Sequence, residues 1–215
     1  MAKNQLSPRK LPLQRRSQQT VNAILEAGAR VFAERGFAAG NTNRIAEVAG
    51  VSIGSLYEYF PNKESILVAL AEHRLQQMQS DVELLLTSAQ ARSEAPETLL
   101  RRFVTTMLEV HERDPELNQI VFYEAPHPAE LHTCILQMEE TLAQAVASLL
   151  RQSGELDLPD PSTTAHLIVQ TVEALTHRFV QHGIHDLARD PFIDEVVALL
   201  RGYLVQVNSR PSSDV

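Results

Sequence analysis

Residues 52–59 carry small and hydroxyl-bearing side chains that suit close contact with a nucleic-acid groove. The stretch reads Ser-Ile-Gly-Ser-Leu-Tyr-Glu-Tyr. A glycine at position 54 would let the backbone approach base edges, and Ile53 could meet a thymine methyl group. The side chains expected on the exposed and flanking surfaces are Ser52, Ile53, Ser55, Tyr57 and Tyr59. The chemistry that this set indicates is hydrogen bonding and apolar contact with DNA.

Two short helices around a glycine turn are needed to position these side chains. Asn41 or Thr42 can cap the first helix, and Gly50 permits a tight turn. Ser52 can then cap the second helix. The residues expected to face inward are Ile45, Val48 and Ala49 on the first helix, and Leu56 and Phe60 on the second. The pattern predicts a helix-turn-helix, although a helical corner without a DNA partner has the same pattern.

The flanking segments also show helical periodicity. Val21, Ile24, Leu25, Gly28, Val31 and Phe32 follow the helical repeat before the turn. Gly28 on this stripe predicts close helix packing, and Gly36 predicts a left-handed helix end. Asn62 can cap a long helix that reaches about Leu86.

The rest of the chain is also predicted to be helical, with about nine helices in total and an all-α fold. Helix starts are expected at three Asp-Pro pairs and at two further prolines, and stops at two glycines. These are Asp114-Pro115, Asp160-Pro161, Asp190-Pro191, Pro96, Pro128, Gly154 and Gly183. The last two helices, at about 162–181 and 192–206, carry wide apolar faces. Such faces require a partner, either inside the chain or in a second copy.

Charge is distributed unevenly along the 215 residues, whose net charge is −8. Residues 1–63 have nine Lys and Arg against four Asp and Glu, whereas the remaining residues have ten against twenty-three. A basic head on an acidic body fits a protein that presents one end to a polyanion. A basic tail without a partner would give the same imbalance.

Composition narrows the class of protein further. No apolar run is long enough for a membrane span and no secretory signal is present, so we expect a cytoplasmic protein. The single cysteine, Cys134, cannot form an internal disulfide and is interpreted as core.

The first third of the chain resembles the DNA-binding domain of the TetR (tetracycline-repressor-like) family. The resemblance rests on Gly36-Phe37, Arg44-Ile45-Ala46, Ala49-Gly50-Val51, Gly54-Ser55-Leu56-Tyr57-Glu58-Tyr59-Phe60 and Asn62-Lys63-Glu64. It implies that Thr42, Tyr57 and Lys63 contact phosphates and that Asn43 and Arg44 lie near the groove. It also implies that Ile53, Gly54, Ser55 and Tyr59 face bases or adjacent phosphates. One departure is Gly40-Asn41, where similar proteins carry Thr or Ser.

The same resemblance implies a repressor that a small molecule releases from a palindromic operator. The implied organisation is a basic arm at 1–14, a helix-turn-helix domain at 15–62, a ligand-binding and dimerisation domain at 63–208 and a tail at 209–215. The last two helices would pair with those of a second copy. Arg9, Lys10, Arg15 and Arg16 could add minor-groove or phosphate contacts, or belong to a solvated tail.

Candidate ligand-binding residues combine apolar bulk with a few polar tips. They are Phe103, Met107, His111, Phe122, Tyr123, Met138 and His177. Ordinary helix core is the competing interpretation for each of them.

Three other classes of function compete with DNA binding. A metal site at His177, His182 and His185 is disfavoured, because offsets of five and three do not share one helical face. An enzyme is disfavoured because no nucleophile elbow, phosphate-binding glycine loop or HExxH segment is present. We therefore expect no metal, no cofactor and no catalysis. A module that binds other proteins through the helix-turn-helix or the last helices remains the third alternative.

Overall fold

The computed structural model describes residues 15–92, 95–120, 129–152 and 158–209. Within these ranges every regular element is an α-helix, as predicted, and the helices number nine. They are α1 (Arg15–Ala39), α2 (Thr42–Ala49), α3 (Ile53–Tyr59), α4 (Lys63–Arg92), α5 (Pro96–Glu112), α6 (Pro115–Gln119), α7 (Ala129–Gln152), α8 (Pro161–His182) and α9 (Arg189–Asn208). The arm predicted at 1–14 and positions 210–215 of the predicted tail lie outside the described residues.

The chain divides into two compact units. The first unit comprises Met1–Gln76 and Glu116–Cys134, and the second comprises Gln77–Pro115 and Ile135–Val215. Helices α4 and α7 each contribute residues to both units. The predicted helix-turn-helix therefore belongs to the first unit, whereas α5, α8 and α9 belong to the second.

Two glycines of α1 have the roles that the sequence predicts. A Cβ atom on Gly28 would lie 2.7 Å from Ile66 Cγ2, so α1 and α4 pack too closely there for a side chain. Gly36 has a φ of 72°, a left-handed conformation that interrupts the regular helix. The largest fully buried side chains of this unit are Ile24, Phe32, Ile45, Leu56, Phe60, Ile66 and Leu67.

The described helices of the second unit begin at the predicted signals with one exception, while Pro128 and Gly154 lie outside the described residues. Asp160 Oδ1 accepts the N–H groups of Ser162 and Thr163 at 3.1 and 3.0 Å, and Pro161 begins α8. Pro96 begins α5, while Gly183, with a φ of 63°, ends α8. Asp190 is the exception, because α9 begins at Arg189 with Ala188 as its cap, two residues before the predicted cap. Asp190 therefore lies in the first turn and is not the capping residue.

Helix α4 is longer than predicted and continues beyond residue 86 to Arg92. Thr87 and Ser88 could have ended it, since their hydroxyls compete with the backbone for hydrogen bonds. Instead the Thr87 hydroxyl donates to Glu83 O at 2.7 Å and the Ser88 hydroxyl to Leu85 O at 2.9 Å. Both side chains therefore bond to carbonyl groups within α4, which continues past them.

The predicted apolar faces of α8 and α9 lie mostly inside the chain. Ala165, Ile168, Val172, Ile193, Val196, Val197, Leu200 and Leu204 are buried, and Leu175, Phe179 and Tyr203 pack against them. Phe179 stacks on Phe192 with ring centroids 4.0 Å apart. The sequence left open whether these faces pack within the chain or against a second copy. Their burial in the single chain shows that they pack within it. A different set of apolar side chains stays exposed, comprising Leu167, Leu199 and Val205.

The interpretation of Cys134 as core is wrong, since its side chain is half-buried. It lies near the start of α7, where Ile135 and Met138 are also only half-buried.

Among the described residues, no helix has the length and apolar character needed to cross a membrane.

Candidate nucleic-acid interface

Helices α2 and α3 are fixed by two side-chain caps and a glycine turn. Asn41 Oδ1 accepts the N–H of Arg44 at 3.0 Å, and so Asn41 is the capping residue of α2. Gly50 ends α2 in a left-handed conformation, with a φ of 67°. Ser52 Oγ accepts the N–H of Ser55 at 3.0 Å and caps α3. These contacts confirm the predicted helix-turn-helix frame.

The two sides of α3 differ in burial as the sequence predicts. Leu56 and Phe60 are fully buried on the inner side, as is Ile45 of α2. Ile53 and Tyr57 are 38% and 40% exposed on the outer side. Ser52 and Gly54 are exposed and Ser55 is half-buried on the same helix end. The start of α3 therefore presents a surface of small, hydroxyl and apolar groups.

Tyr59 does not belong to this surface. Its side chain is 6% exposed and is part of the core, so the exposure expected from the sequence is wrong. The physical reason is the helical repeat, since Tyr59 follows the buried Leu56 by three positions and precedes Phe60.

Thr42 and Tyr57 connect the first turn of α2 to the exposed side of α3. Thr42 Oγ1 and the Tyr57 hydroxyl oxygen lie 3.0 Å apart, and either can be the donor. Whichever hydroxyl accepts this bond keeps its own proton for another acceptor. Two of the three side chains that the family resemblance assigns to phosphate are thus adjacent on the protein surface.

Arg44 is bound to an acidic neighbour one turn along α2. Its Nη1 lies 2.8 Å from Glu47 Oε2, and this hydrogen bond and charge raise the pKa of Arg44 above its ordinary value. Both side chains are substantially exposed, at 37% and 68%. Exposed ion pairs of this type are weak, so a phosphate can replace Glu47 as the partner of Arg44 at little cost. Asn43, the next candidate, is exposed.

Lys63 lies at the carboxyl end of α1. Its Nζ donates to the carbonyl oxygens of Phe37, Ala38 and Gly40 at 2.8, 3.1 and 3.3 Å, and it lies 4.4 Å from the centre of the Phe37 ring. An ammonium group has three N–H donors, and all three have acceptors here. Sequence reasoning assigned Lys63 to phosphate and missed this capping role, since the partners are 23 to 26 positions away in sequence.

Gly40 explains the departure from the family pattern that precedes α2. A Cβ atom there would lie 2.7 Å from Phe32 Cδ1, so any side chain would require the aromatic ring to move. The position is buried, and its carbonyl is one of the three that Lys63 binds. Asn41 therefore supplies the cap, while Thr42 is the first residue of α2.

The candidate ligand-binding residues do not line a single cavity. Phe103 lines one cavity of the second unit and Met138 lines another. Met107 is 1% exposed and lies in the core. Phe122 and Tyr123 lie outside the described residues.

His111 and His177 form a separate pair within the second unit. Their ring centroids are 5.4 Å apart in an edge-on arrangement, and His111 is 5% exposed. Burial, with a further contribution from His177, lowers the pKa of His111 to about 4. Burial also lowers the pKa of His177. Both rings are therefore neutral near pH 7.

Comparison with known proteins identifies both parts of the chain. Residues 24–70 match the family described as "Bacterial regulatory proteins, tetR family", and residues 96–204 match "Tetracyclin repressor-like, C-terminal domain". The chain is 28% identical over 177 residues to the HTH-type transcriptional regulator YdgC of Bacillus subtilis, covering 82% of this chain and 88% of YdgC. It is 29% identical over 133 residues to the HTH-type transcriptional repressor NicS of Pseudomonas putida, covering 61% and 60% of the two chains.

A solved structure shares the fold over most of the chain. The transcriptional regulator FadR of Bacillus subtilis, solved in complex with stearoyl-CoA, superposes with a TM-score of 0.64 at 24% identity, covering 83% of this chain and 96% of FadR. The second of the two family matches alone spans half of the sequence, and the first coincides with the helix-turn-helix described above. The chain belongs to the TetR family of bacterial transcriptional regulators.

Proposed function

We propose that this TetR-family regulator is a sequence-specific repressor that a small molecule releases from a palindromic operator. The observation that carries the proposal is the exposed side of α3, a helix of seven residues on which the side chains of Ile53 and Tyr57 are partly exposed to solvent. A recognition helix needs such a surface at its first turns, since these turns enter the major groove. Repression is favoured by the similarity to NicS, which is named a repressor.

The proposed contacts divide into two types. Ile53, Gly54 and Ser55 meet bases, which specifies sequence. Thr42 and Tyr57 meet phosphates, which positions the protein without specifying sequence. Asn43, Arg44 and Ser52 lie at the edge of this surface, and the basic arm at 1–14 adds charge that attracts the duplex.

We propose that α8 and α9 form the dimer contact. Leu167 of α8 and Leu199 and Val205 of α9 are 46%, 55% and 59% exposed in the single chain. Ala198 and Gly202 of α9 are also exposed, so this surface includes positions of little bulk. Such a surface permits close approach of another helix, and a two-fold dimer places two recognition helices on the two halves of a palindrome.

The small-molecule response is proposed for the second unit, which contains the two cavities. FadR of Bacillus subtilis was solved with stearoyl-CoA, which makes ligand binding a reasonable expectation for this fold. Some conformations of a dimer cannot reach both half-sites of an operator. A ligand that binds such a conformation better weakens DNA binding, and DNA weakens ligand binding by the same factor. The domain division at 15–62 and 63–208 is part of this proposal.

The test is fluorescence anisotropy of the full chain with duplex DNA from upstream of its own gene and with a random duplex of equal length. A sequence-specific repressor gives tighter binding to the upstream duplex and a steep decrease in affinity with salt. Equal affinity for both duplexes contradicts sequence-specific recognition. Absence of binding to either one favours a protein-interaction module instead.

A further inference from the structure

The first cavity of the second unit is lined only by hydrocarbon side chains. Its empty space, including the mouth, is about 550 Å³. The ten lining residues come from five helices and are Val82, Leu85, Leu99, Leu100, Phe103, Val146, Leu149, Leu150, Ile168 and Leu204. Because a charged or unpaired polar group is costly in such surroundings, the part of any ligand that enters must be hydrocarbon.

The second cavity has a different chemistry. Its empty space is about 350 Å³, and its lining combines apolar residues with Gln79, Glu83 and Thr141. Gln79 Nε2 donates to Glu83 Oε1 at 3.0 Å. Glu83 is exposed, so its carboxylate can also accept a hydrogen bond from a ligand.

The two cavities follow one another along α4 and α7. Val82 lines both of them. On α7 the second cavity takes residues 138–145 and the first takes residues 146–150, which are consecutive turns. The twelve residue steps from Met138 to Leu150 extend about 18 Å along the helix. A ligand that occupies both cavities is therefore elongated, with an apolar end and a polar end.

The charged side chain that lines the polar end is a carboxylate, that of Glu83. Residues 77–91 of α4 and 135–150 of α7 contain Asp81, Glu83, Glu139 and Glu140 but no Lys or Arg. Asp81 is bound to Arg113 at 2.6 Å, and Glu140 to His166 at 2.9 Å. Glu83 is the carboxylate that lines the cavity itself. Such surroundings favour a cation or a neutral hydrogen-bond donor and repel a carboxylate or phosphate.

From these observations we propose that the two cavities form one site for a linear amphiphile, with its alkyl chain between α4, α5 and α7 and a non-anionic, hydrogen-bond-donating head at Glu83. For its consequence on DNA binding this inference rests on the ligand response proposed above. It goes further by naming the chemical class of the effector and by placing its long axis along α4 and α7.

The first test concerns the alkyl chain and uses isothermal titration calorimetry with dodecylammonium and the full-length protein. Val146→Phe places a ring in the hydrocarbon cavity and is expected to weaken dodecylammonium binding by about tenfold. Leu136→Phe is the matched control, since Leu136 is on the same helix, 50% exposed and absent from both linings. Undetectable binding to the parent protein, or equal affinities for both variants, overturns the inference. Thermal unfolding of each variant verifies that it is folded.

The second test concerns the head group. Dodecylammonium is expected to bind more tightly than dodecanoate, and Glu83→Gln to reduce that preference by about threefold. Glu195→Gln removes the same charge from an exposed position on α9 and should leave the preference unchanged. Equal or tighter binding of dodecanoate to the parent protein overturns the inference.

The site and the proposed function fail in different ways. If dodecylammonium binds as expected but the upstream duplex stays bound, the site stands and the proposed release of DNA by ligand is wrong. If the protein binds no duplex with sequence preference, calorimetry still decides the site, because it is performed without DNA.

Discussion

The hydroxyl oxygens of Thr42 and Tyr57 lie 3.0 Å apart, although fifteen positions separate the two residues in sequence. The bond joins the first turn of α2 to the exposed side of α3, so both hydroxyls face the same part of the surface. A phosphate oxygen that accepts a hydrogen bond from one of them is therefore within reach of a pair of groups whose geometry is already set.

Tyr57→Phe removes one hydroxyl of this pair and leaves the ring in place. We expect binding to weaken by about threefold to tenfold on the upstream and random duplexes alike, as a phosphate contact carries no sequence information. Anisotropy at one salt concentration measures both affinities. Tyr203→Phe, in the second unit, is the matched control. A loss confined to the upstream duplex would show that Tyr57 reads bases instead.

Gly54→Ala separates stability from DNA binding. A Cβ atom at Gly54 would have only Ser52 Oγ nearby, at 3.8 Å, so the protein itself has room for a methyl group. Replacing an exposed helical glycine by alanine stabilises a helix by about 0.5–1 kcal/mol. We expect a higher melting temperature together with weaker binding to the upstream duplex, because the methyl occupies the surface that approaches the groove. Unchanged affinity would place Gly54 away from DNA.

Local signals made much of this interface predictable from the sequence. Caps and turns depend on residues close in sequence, which is why the roles of Gly50 and Ser52 are predictable without coordinates, whereas the cap of α2 could be narrowed only to Asn41 or Thr42. Tyr59 was misplaced because its aromatic ring and hydroxyl suit both a core and a groove. The helical repeat, which places Tyr59 one turn after the buried Leu56, decides between them.

Contacts between distant residues were beyond sequence reasoning. Lys63 contacts the end of α1 through the tertiary fold of the first unit, and no pattern in residues 37–40 predicts that contact. The cavities were missed for a related reason. Their linings consist largely of aliphatic residues at helical spacing, and the same spacing describes a filled core. Whether such residues enclose empty space depends on how five helices pack.

Lys63→Met tests whether Lys63 stabilises the first unit or only contacts DNA. Losing its three hydrogen bonds to carbonyl groups should lower the free energy of unfolding by about 1–3 kcal/mol. Urea unfolding measures this change, and anisotropy measures the accompanying loss of DNA affinity. If Lys63 acted only through phosphate, stability would be unchanged and the salt dependence would decrease by about one contact.

Because of His111, the free energy of unfolding should be lower in mild acid than at neutral pH. Burial holds its pKa at about 4, below the ordinary value of 6.5, so the unfolded chain binds a proton more readily than the folded one. Its stabilising contribution is therefore fully present above pH 6.5 and is lost as the pH decreases towards 4. In His111→Leu the decrease in unfolding free energy between pH 7 and pH 5 should be smaller by about 1 kcal/mol or more. His132→Asn, at an exposed position on α7, should retain the parental pH dependence.

Glu47→Gln should strengthen DNA binding, because Arg44 Nη1 would no longer have the carboxylate that lies 2.8 Å away. Two effects contribute, namely the removal of a negative charge beside the DNA and the release of Arg44 towards phosphate. Glu58→Gln separates them, since it removes the same charge from α3 and leaves the Arg44–Glu47 pair intact. We expect a larger gain for Glu47→Gln, with a salt dependence steeper by about one phosphate contact. Equal gains from both variants would mean that Arg44 does not bind phosphate, whereas weaker binding by Glu47→Gln would mean that the ion pair positions α2 for DNA.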